Sequence, residues 1–417
     1  MNDMAEAPIS LVVLAAGRNG GGTINLLANV LSNMPQDRVA LSLIDFRDGF
    51  LSSELRRRDV SFELRPFEKE QKATVRADEV FLASANSAQF LRERIVTDPA
   101  TRVLLWQTHP EEFVRWLPIN RPLVGKDAEE CRRAARRSNP GYFNRLRYVL
   151  QGGSAAGGLI AMDQNCRDYN KVIFELPGDE PIVPVCTDRA DSAWIPTASK
   201  KLRLTWLGRL TDFKTQPVIA LYEAARALAA GGRPLMLNIV GDGDDRARLE
   251  DLLQPVDNLD VVFHGHLEHE ALTPMLTSAT DIGVGHGMSL VEFARLGVPS
   301  LMLEGFYFKP DDGARFNWLF DRPEGDVGVI VRRPGDLKGV SLSEALDDQD
   351  LIIAGQRSFT HWAHNFDPEH VANKVLHHII STRWTVGRMR ADGFDRFGFP
   401  SNIVQAARQF YTRNKYW

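Results

Sequence analysis

Two short stretches carry residues suited to holding a diphosphate. The first is Gly208-Arg209-Leu210 followed by Lys214, which sets two cations just ahead of a helical pattern. The second is Gly285-His286-Gly287-Met288-Ser289, a small, flexible loop that opens another helical pattern. A helix N-terminus offers free backbone N–H groups and a partial positive charge, so it favours an anion. Glu292 lies one turn into that second helix, and a carboxylate there suits the paired hydroxyls of a ribose. The same residue has a structural reading. Ser289-Leu290-Val291-Glu292 is also a capping box, in which the acid bonds a backbone N–H at the helix start.

Other polar clusters read as structure. Asp242-x-Asp244 has the form of a metal-binding pair, but it joins a strand to an amphipathic helix, where an acid meets the helix dipole favourably. No metal is expected. His264, His266 and His269 crowd around Gly265 at gaps that fit no standard tetrahedral zinc site, and no cysteine lies near. They read as loop histidines near a nucleobase. His361 and His364 flank Trp362 and precede Phe366, a pattern of ordinary packing. Gly20-Gly21-Gly22 is not followed by the Gly-Lys-Ser/Thr of a phosphate-binding P-loop. It reads either as a tight turn or as a point where backbone approaches a ligand closely.

The elements that must position these residues alternate between strand and helix. In the first half, short apolar runs at 9–16, Val39–Asp45, 60–65, Arg102–Gln107 and 158–162 read as strands, with helical patterns after residue 22 and at 52–58. In the second half the strands are Leu202–Leu207, Leu235–Val240, 261–263, 281–284 and 299–303, and the helices are 217–230, 246–253, 268–277 and 290–296. Alternation of this kind predicts parallel βαβ units, and so an α/β fold of doubly wound domains. In such sheets ligands bind beyond the carboxyl ends of the strands. The expected domains are 1–185 and 200–380, joined by a proline-rich linker and followed by a C-terminal helical extension, 381–417.

Composition bounds the rest. The chain has 417 residues, 44% hydrophobic and 25% charged, which excludes disordered and fibrous classes. Fifty basic against fifty-four acidic side chains argue against a nucleic-acid binder. Three scattered cysteines form neither a disulfide framework nor a zinc spacing. No run reaches the length of a membrane span, and the first residues lack the basic cluster of a signal peptide, so a cytoplasmic protein is expected.

The ordered set Gly208-Arg209-Leu210-x-x-x-Lys214, Val240-Gly241-Asp242-Gly243 with Arg246 and Leu249, Phe263-x-Gly265, and Gly285-x-Gly287 with Glu292, Ala294, Gly297, Val298 and Pro299 resembles the C-terminal domain of retaining GT-B glycosyltransferases. The match is to glycosyltransferase family 4 (group 1), over residues 204–303. Gly20-Gly21-Gly22 is similar to that family's N-domain glycine loop. Two departures stand out. Val284 occupies the place of the first of the family's two glutamates, leaving Glu292 alone, and Thr215 follows the lysine in place of glycine.

The resemblance implies two Rossmann-like domains facing across a cleft, the first binding acceptor and the second binding donor. It implies transfer of a sugar from a nucleotide diphosphate sugar, as co-substrate with no further cofactor, to a hydroxyl of a glycan or lipid-linked acceptor, with retention of configuration. Arg209 and Lys214 would stabilise the leaving diphosphate. Gly208, Gly241, Gly265, His266, Gly285, His286, Gly287, Met288, Ser289 and Glu292 would contact the donor, with Gly21 and Gly22 from the N-domain loop. His109, after an N-domain strand, is either a donor-sugar contact or a plain loop histidine.

A catalytically silent nucleotide-sugar binder, suggested by Val284, is the rival reading, and a two-lobed periplasmic-type binding protein is a second. Arginines 132, 133, 136, 137, 145 and 147, with the basic, aromatic stretch 383–417, read as a solvated face or as a peripheral contact with anionic membrane.

Overall fold

The computed structural model describes residues 7–18, 21–68, 72–88, 90–117, 126–189, 194–196, 199–347 and 349–396, with Glu93, Asp212, His269 and Arg396 described by backbone alone. The chain divides into two compact units, Met1–Pro184 with Val371–Trp417, and Val185–His370.

The first unit opens with β1 (Ile9–Leu14), α1 (Gly22–Ser32), β2 (Val39–Asp45), α2 (Phe50–Arg57) and β3 (Glu63–Pro66). It continues with β4 (Val80–Ser84), β5 (Arg102–Gln107), α3 (Ala128–Ser138), α4 (Pro140–Ala155), β6 (Leu159–Ala161) and α5 (Gln164–Phe174). These strands form one parallel sheet in the order β3-β2-β1-β4-β5-β6. Leu11 to Leu14 and Val80 to Ala83 are almost wholly buried. Continuous apolar runs are what central parallel strands need, because helices cover both faces.

Beyond the sheet, Trp384, Val386, Met389 and Phe394 join the core of this unit. Trp384 lies against Gly153 and Gly158, where a β-carbon would come within 3.0 Å of its ring. The described part of the expected terminal extension, up to residue 396, is therefore packed into the first unit. The remainder of the stretch lies outside the described residues.

The second unit repeats the plan. β7 (Leu202–Leu207), α6 (Thr215–Ala230), β8 (Leu235–Val240), α7 (Arg246–Leu252), β9 (Leu259–Gly265), α8 (His269–Ser278), β10 (Ile282–Gly285), α9 (Met288–Arg295) and β11 (Ser300–Leu303) are followed by an antiparallel edge strand, β12 (Phe316–Trp318). The order is β9-β8-β7-β10-β11-β12. Both sheets thus reverse direction beside their first strand, between β1 and β4 and between β7 and β10. At such a switch point the loops leaving the two central strands splay to opposite faces and open a crevice for a ligand. The loops singled out above, 208–214 and 286–289, are the two that leave β7 and β10.

Candidate functional site

The floor of the second unit's site is backbone held to backbone. Gly208 N–H donates to Val240 O at 3.0 Å, Leu210 N–H to Asp242 O at 2.9 Å, and Gly241 N–H to Gly265 O at 2.8 Å. A β-carbon on Gly241 would sit 2.0 Å from Gly208 O, so only glycine allows the two loops to meet. A β-carbon on Gly265 would come 2.9 Å from an Arg246 guanidinium nitrogen. Gly241 and Gly265 thus act by holding the loops together.

Gly287 starts α9 as its N-cap at φ 65° and ψ −151°, a region essentially confined to glycine. No side chain caps the helix and no acid sits in its first turn. Met288 and Ser289 form that open end, both half-buried. The capping box read from Ser289 and Glu292 does not form. The helix begins one residue before Ser289, so its hydroxyl is inside the first turn, and Glu292 Oε2 instead accepts from Arg295 Nε at 2.5 Å. Arg295 is 3% exposed and Glu292 23%. The pair fixes one carboxylate oxygen and leaves Oε1 without a side-chain partner among the described residues.

Lys214 stands at the start of α6, half-buried, with Nζ 3.2 Å from the place a Gly208 β-carbon would take. Burial, and then the charge of Arg209, bring its ammonium down to about 8 from an ordinary 10.5. Arg209 is exposed. Neither side chain has a hydrogen bond or an ion pair among the described residues. Two cations that repel each other beside an uncapped helix end form a site of unspent positive potential, and an anion relieves it.

His286 is buried beside them, edge-on to Trp206 and tilted against Phe213. Its Nδ1 lies 3.0 Å from Leu303 O, which makes Nδ1 the protonated nitrogen of the neutral ring. Burial and the Lys214 charge hold its pKa down to about 3.

A β-carbon on Gly285 would make only ordinary contact with Leu207 O and Ser289. Val284 is fully buried in the core. His266 sits on the surface, paired with Glu268 at 3.2 Å, and His264 bonds Asn238 at 3.0 Å. The His269 side chain lies outside the described residues. Asp242 pairs with Arg246 at 3.3 Å, and no three acids, histidines or cysteines converge as metal ligands among the described residues.

In the first unit Gly21 is the N-cap of α1 and Gly22 its first residue, both exposed, and a β-carbon on either would meet nothing within 4 Å. Gly20 lies outside the described residues. His109 leaves β5 half-buried, its Nδ1 accepting from Glu111 N–H at 3.1 Å.

Beneath it lies a residue that sequence reasoning passed over. Glu112 is 4% exposed and accepts from Thr108 N–H at 2.8 Å and Thr108 Oγ1 at 3.0 Å. Thr108 Oγ1 is 3.0 Å from Thr23 Oγ1, at the start of α1. The carboxyl therefore pins the turn that carries His109. A Glu three residues after a histidine gave no signal of this, since Thr23, which extends the chain of hydrogen bonds, meets Thr108 only in the fold.

Burial raises the Glu112 carboxyl to about 7 from 4.5, against the Thr108 hydrogen bonds. Between those values the folded chain holds a proton that the unfolded chain has lost, so this contribution to stability falls as pH rises through 7. Melting curves at intervals from about pH 5 to pH 8 are expected to show the decline, and Glu112→Gln is expected to flatten it. An unchanged slope in the variant would place the pH dependence elsewhere.

No family model matches the chain, and no curated protein matches its sequence. Solved structures do match. Sucrose-phosphate synthase from Thermosynechococcus elongatus superposes with a TM-score of 0.52 at 12% identity, over 88% of this chain and 97% of that one. HepE of Anabaena, in complex with UDP and glucose, gives 0.51 at 13%, over 89% and 99%. The N-terminal domain of trehalose-6-phosphate phosphatase from Candida albicans gives 0.51 at 10%, over 91% and 98%. The fold is GT-B. At these identities the likeness is one of fold, and the chemistry has to be argued from the residues above.

Proposed function

We propose that the chain is a glycosyltransferase that moves a sugar from a nucleoside diphosphate donor to a hydroxyl acceptor, with retention of configuration. The observation that carries this is the pair of cations, Arg209 and Lys214, without partners among the described residues, beside the open end of α9 at a topological switch point. A departing diphosphate accumulates charge as the glycosidic bond breaks. Fixed cations and backbone N–H groups aimed at it lower that barrier without reorganising. UDP is the first nucleotide to test, because HepE, of the same fold, was solved with UDP and glucose.

In this reading the free Oε1 of Glu292 meets a ribose hydroxyl, and Arg295 keeps the carboxylate aimed. Gly208, Gly285, Gly287, Met288 and Ser289 surround the diphosphate. His286 lies beneath it, and His266 lies toward the base. His109, Gly21 and Gly22 remain the first unit's candidate contacts for sugar or acceptor. The acceptor is a glycan or lipid-linked glycan, and the protein acts in the cytoplasm without a metal or other cofactor.

Part of the basic cluster that could meet an anionic membrane is already paired within the protein. Glu175 accepts from Arg147 at 2.6 Å, bonds Arg136 and lies 3.7 Å from Arg132, so three cations of that cluster share one acid. No helix among the described residues is long and apolar enough to cross a membrane.

Release of UDP from UDP-sugars, with and without EDTA, tests the proposal. The expected result is turnover that survives EDTA. Loss with EDTA and recovery with manganese would overturn the metal-independent mechanism, with Asp242 and Asp244 the first ligands to examine. Tight UDP binding without hydrolysis or transfer would instead favour the silent binder that Val284 suggests.

A further inference from the structure

Trp206 is wholly buried, yet its indole Nε1 has no hydrogen-bond partner among the described residues. The indoles of Trp106, Trp116, Trp194 and Trp362 all donate, at 2.7 to 3.1 Å. Leaving a buried donor unpaired costs its full desolvation, so each such group calls for a physical reason. His286 Nε2, a lone-pair acceptor in this tautomer, is also buried and unpartnered, and its ring meets the Trp206 ring edge-on at 5.8 Å. Donor and acceptor are neighbours but do not bond, so the N–H points elsewhere.

Gly208 marks its surroundings. The place a β-carbon would take there is 3.6 Å from Trp206 Nε1, 3.2 Å from Lys214 Nζ and 3.6 Å from Ser289 Oγ. The three donors thus crowd the face of Gly208 beside the open α9 end. A negatively charged oxygen seated against that glycine would have all three as neighbours.

We infer that Trp206 is a ligand contact, its indole N–H donating to an oxygen of a bound diphosphate beside Lys214 and Ser289. The inference rests on the donor site proposed above and adds to it a neutral donor from within the sheet. A neutral donor binds the oxyanion without adding to the repulsion between Arg209 and Lys214. The cost of the unpaired N–H becomes a gain when the ligand arrives.

Inorganic pyrophosphate is the probe, followed by ¹⁵N-labelled indole resonances of the unsubstituted chain. One indole N–H is expected to move to lower field and to exchange more slowly as pyrophosphate binds. That resonance is expected to be missing in Trp206→Phe. Trp384, whose Nε1 is likewise unpartnered but lies in the first unit, is expected not to move.

Calorimetry should show pyrophosphate and UDP binding Trp206→Phe roughly 10- to 100-fold more weakly, the scale of one hydrogen bond to a charged group. Pyrophosphate binding with no indole shift, or with equal affinity in the variant, overturns the role of Trp206 and leaves the donor reading standing. A shift with pyrophosphate but no gain in affinity for UDP keeps Trp206 and removes the nucleotide. No binding of pyrophosphate overturns the anion site and Trp206 with it.

Discussion

Lys214→Ala is expected to lower turnover of a UDP-sugar by roughly 10²–10³-fold, the scale for losing one preorganised transition-state donor. Its ammonium is drawn down to about 8 by burial and by Arg209, which means that the folded protein holds this charge at a cost. A bound diphosphate reverses the balance, and the reversal is greatest where the leaving group carries most charge. The fold should not suffer, since the lysine has no partner to lose among the described residues. Arg209→Ala is expected to act in the same direction. The check is a pair of measurements, steady-state turnover and melting temperature. Near-normal turnover in both variants would remove the cations from the mechanism.

Glu292→Ala should have the largest effect on stability. It strips the counter-charge from Arg295, which is 3% exposed and already has one guanidinium nitrogen, Nη2, without a partner among the described residues. Removing one member of a buried pair costs about 3–5 kcal/mol, because the remaining charge stays buried. Stability alone would not show whether Glu292 also touches ligand. The double variant Glu292→Leu with Arg295→Met separates the two roles, since apolar replacement of a whole buried pair is often neutral. It is expected to regain most of the lost stability, by chemical denaturation, and still to bind UDP weakly. Recovery of UDP affinity along with stability would reduce Glu292 to a structural partner.

The strands of the second unit were legible because each is an apolar run stopped by glycine or charge. Leu202–Leu207 and Leu235–Val240 were bounded from sequence to the residue. The loops after them were placed correctly for the same reason, since a βα unit leaves little freedom in where its turn falls. The start of α9 was set two residues late, at Leu290, because the Ser289–Glu292 spacing suggested a cap. Gly287, with a backbone conformation open almost only to glycine, begins the helix earlier. The buried five-residue strand Val80–Ser84 was missed, since so short an apolar run has no period to distinguish strand from helix.

Partners were the least legible feature. Arg295 lies three residues from Glu292, a spacing at which helical side chains meet, but its burial depends on the rest of the unit. Thr23 and Thr108 are far apart in the chain, and nothing local to either announces that their hydroxyls meet above Glu112. Trp206 reads in sequence as one more core aromatic. Only the neighbouring glycine, and the absence of an acceptor among the described residues, mark its indole nitrogen as different.

The most direct test of the diphosphate site is calorimetric titration with UDP from about pH 7 to pH 9.5. Lys214 must be protonated to hold the ligand, and in the free protein its proton is lost around pH 8. The expected result is binding at pH 7, with affinity falling toward tenfold per pH unit above about pH 8 as each binding event takes up a proton. Lys214→Ala is expected to bind weakly with no such slope. UDP binding that is independent of pH over this range, or equal in the variant, would contradict a diphosphate held by Lys214.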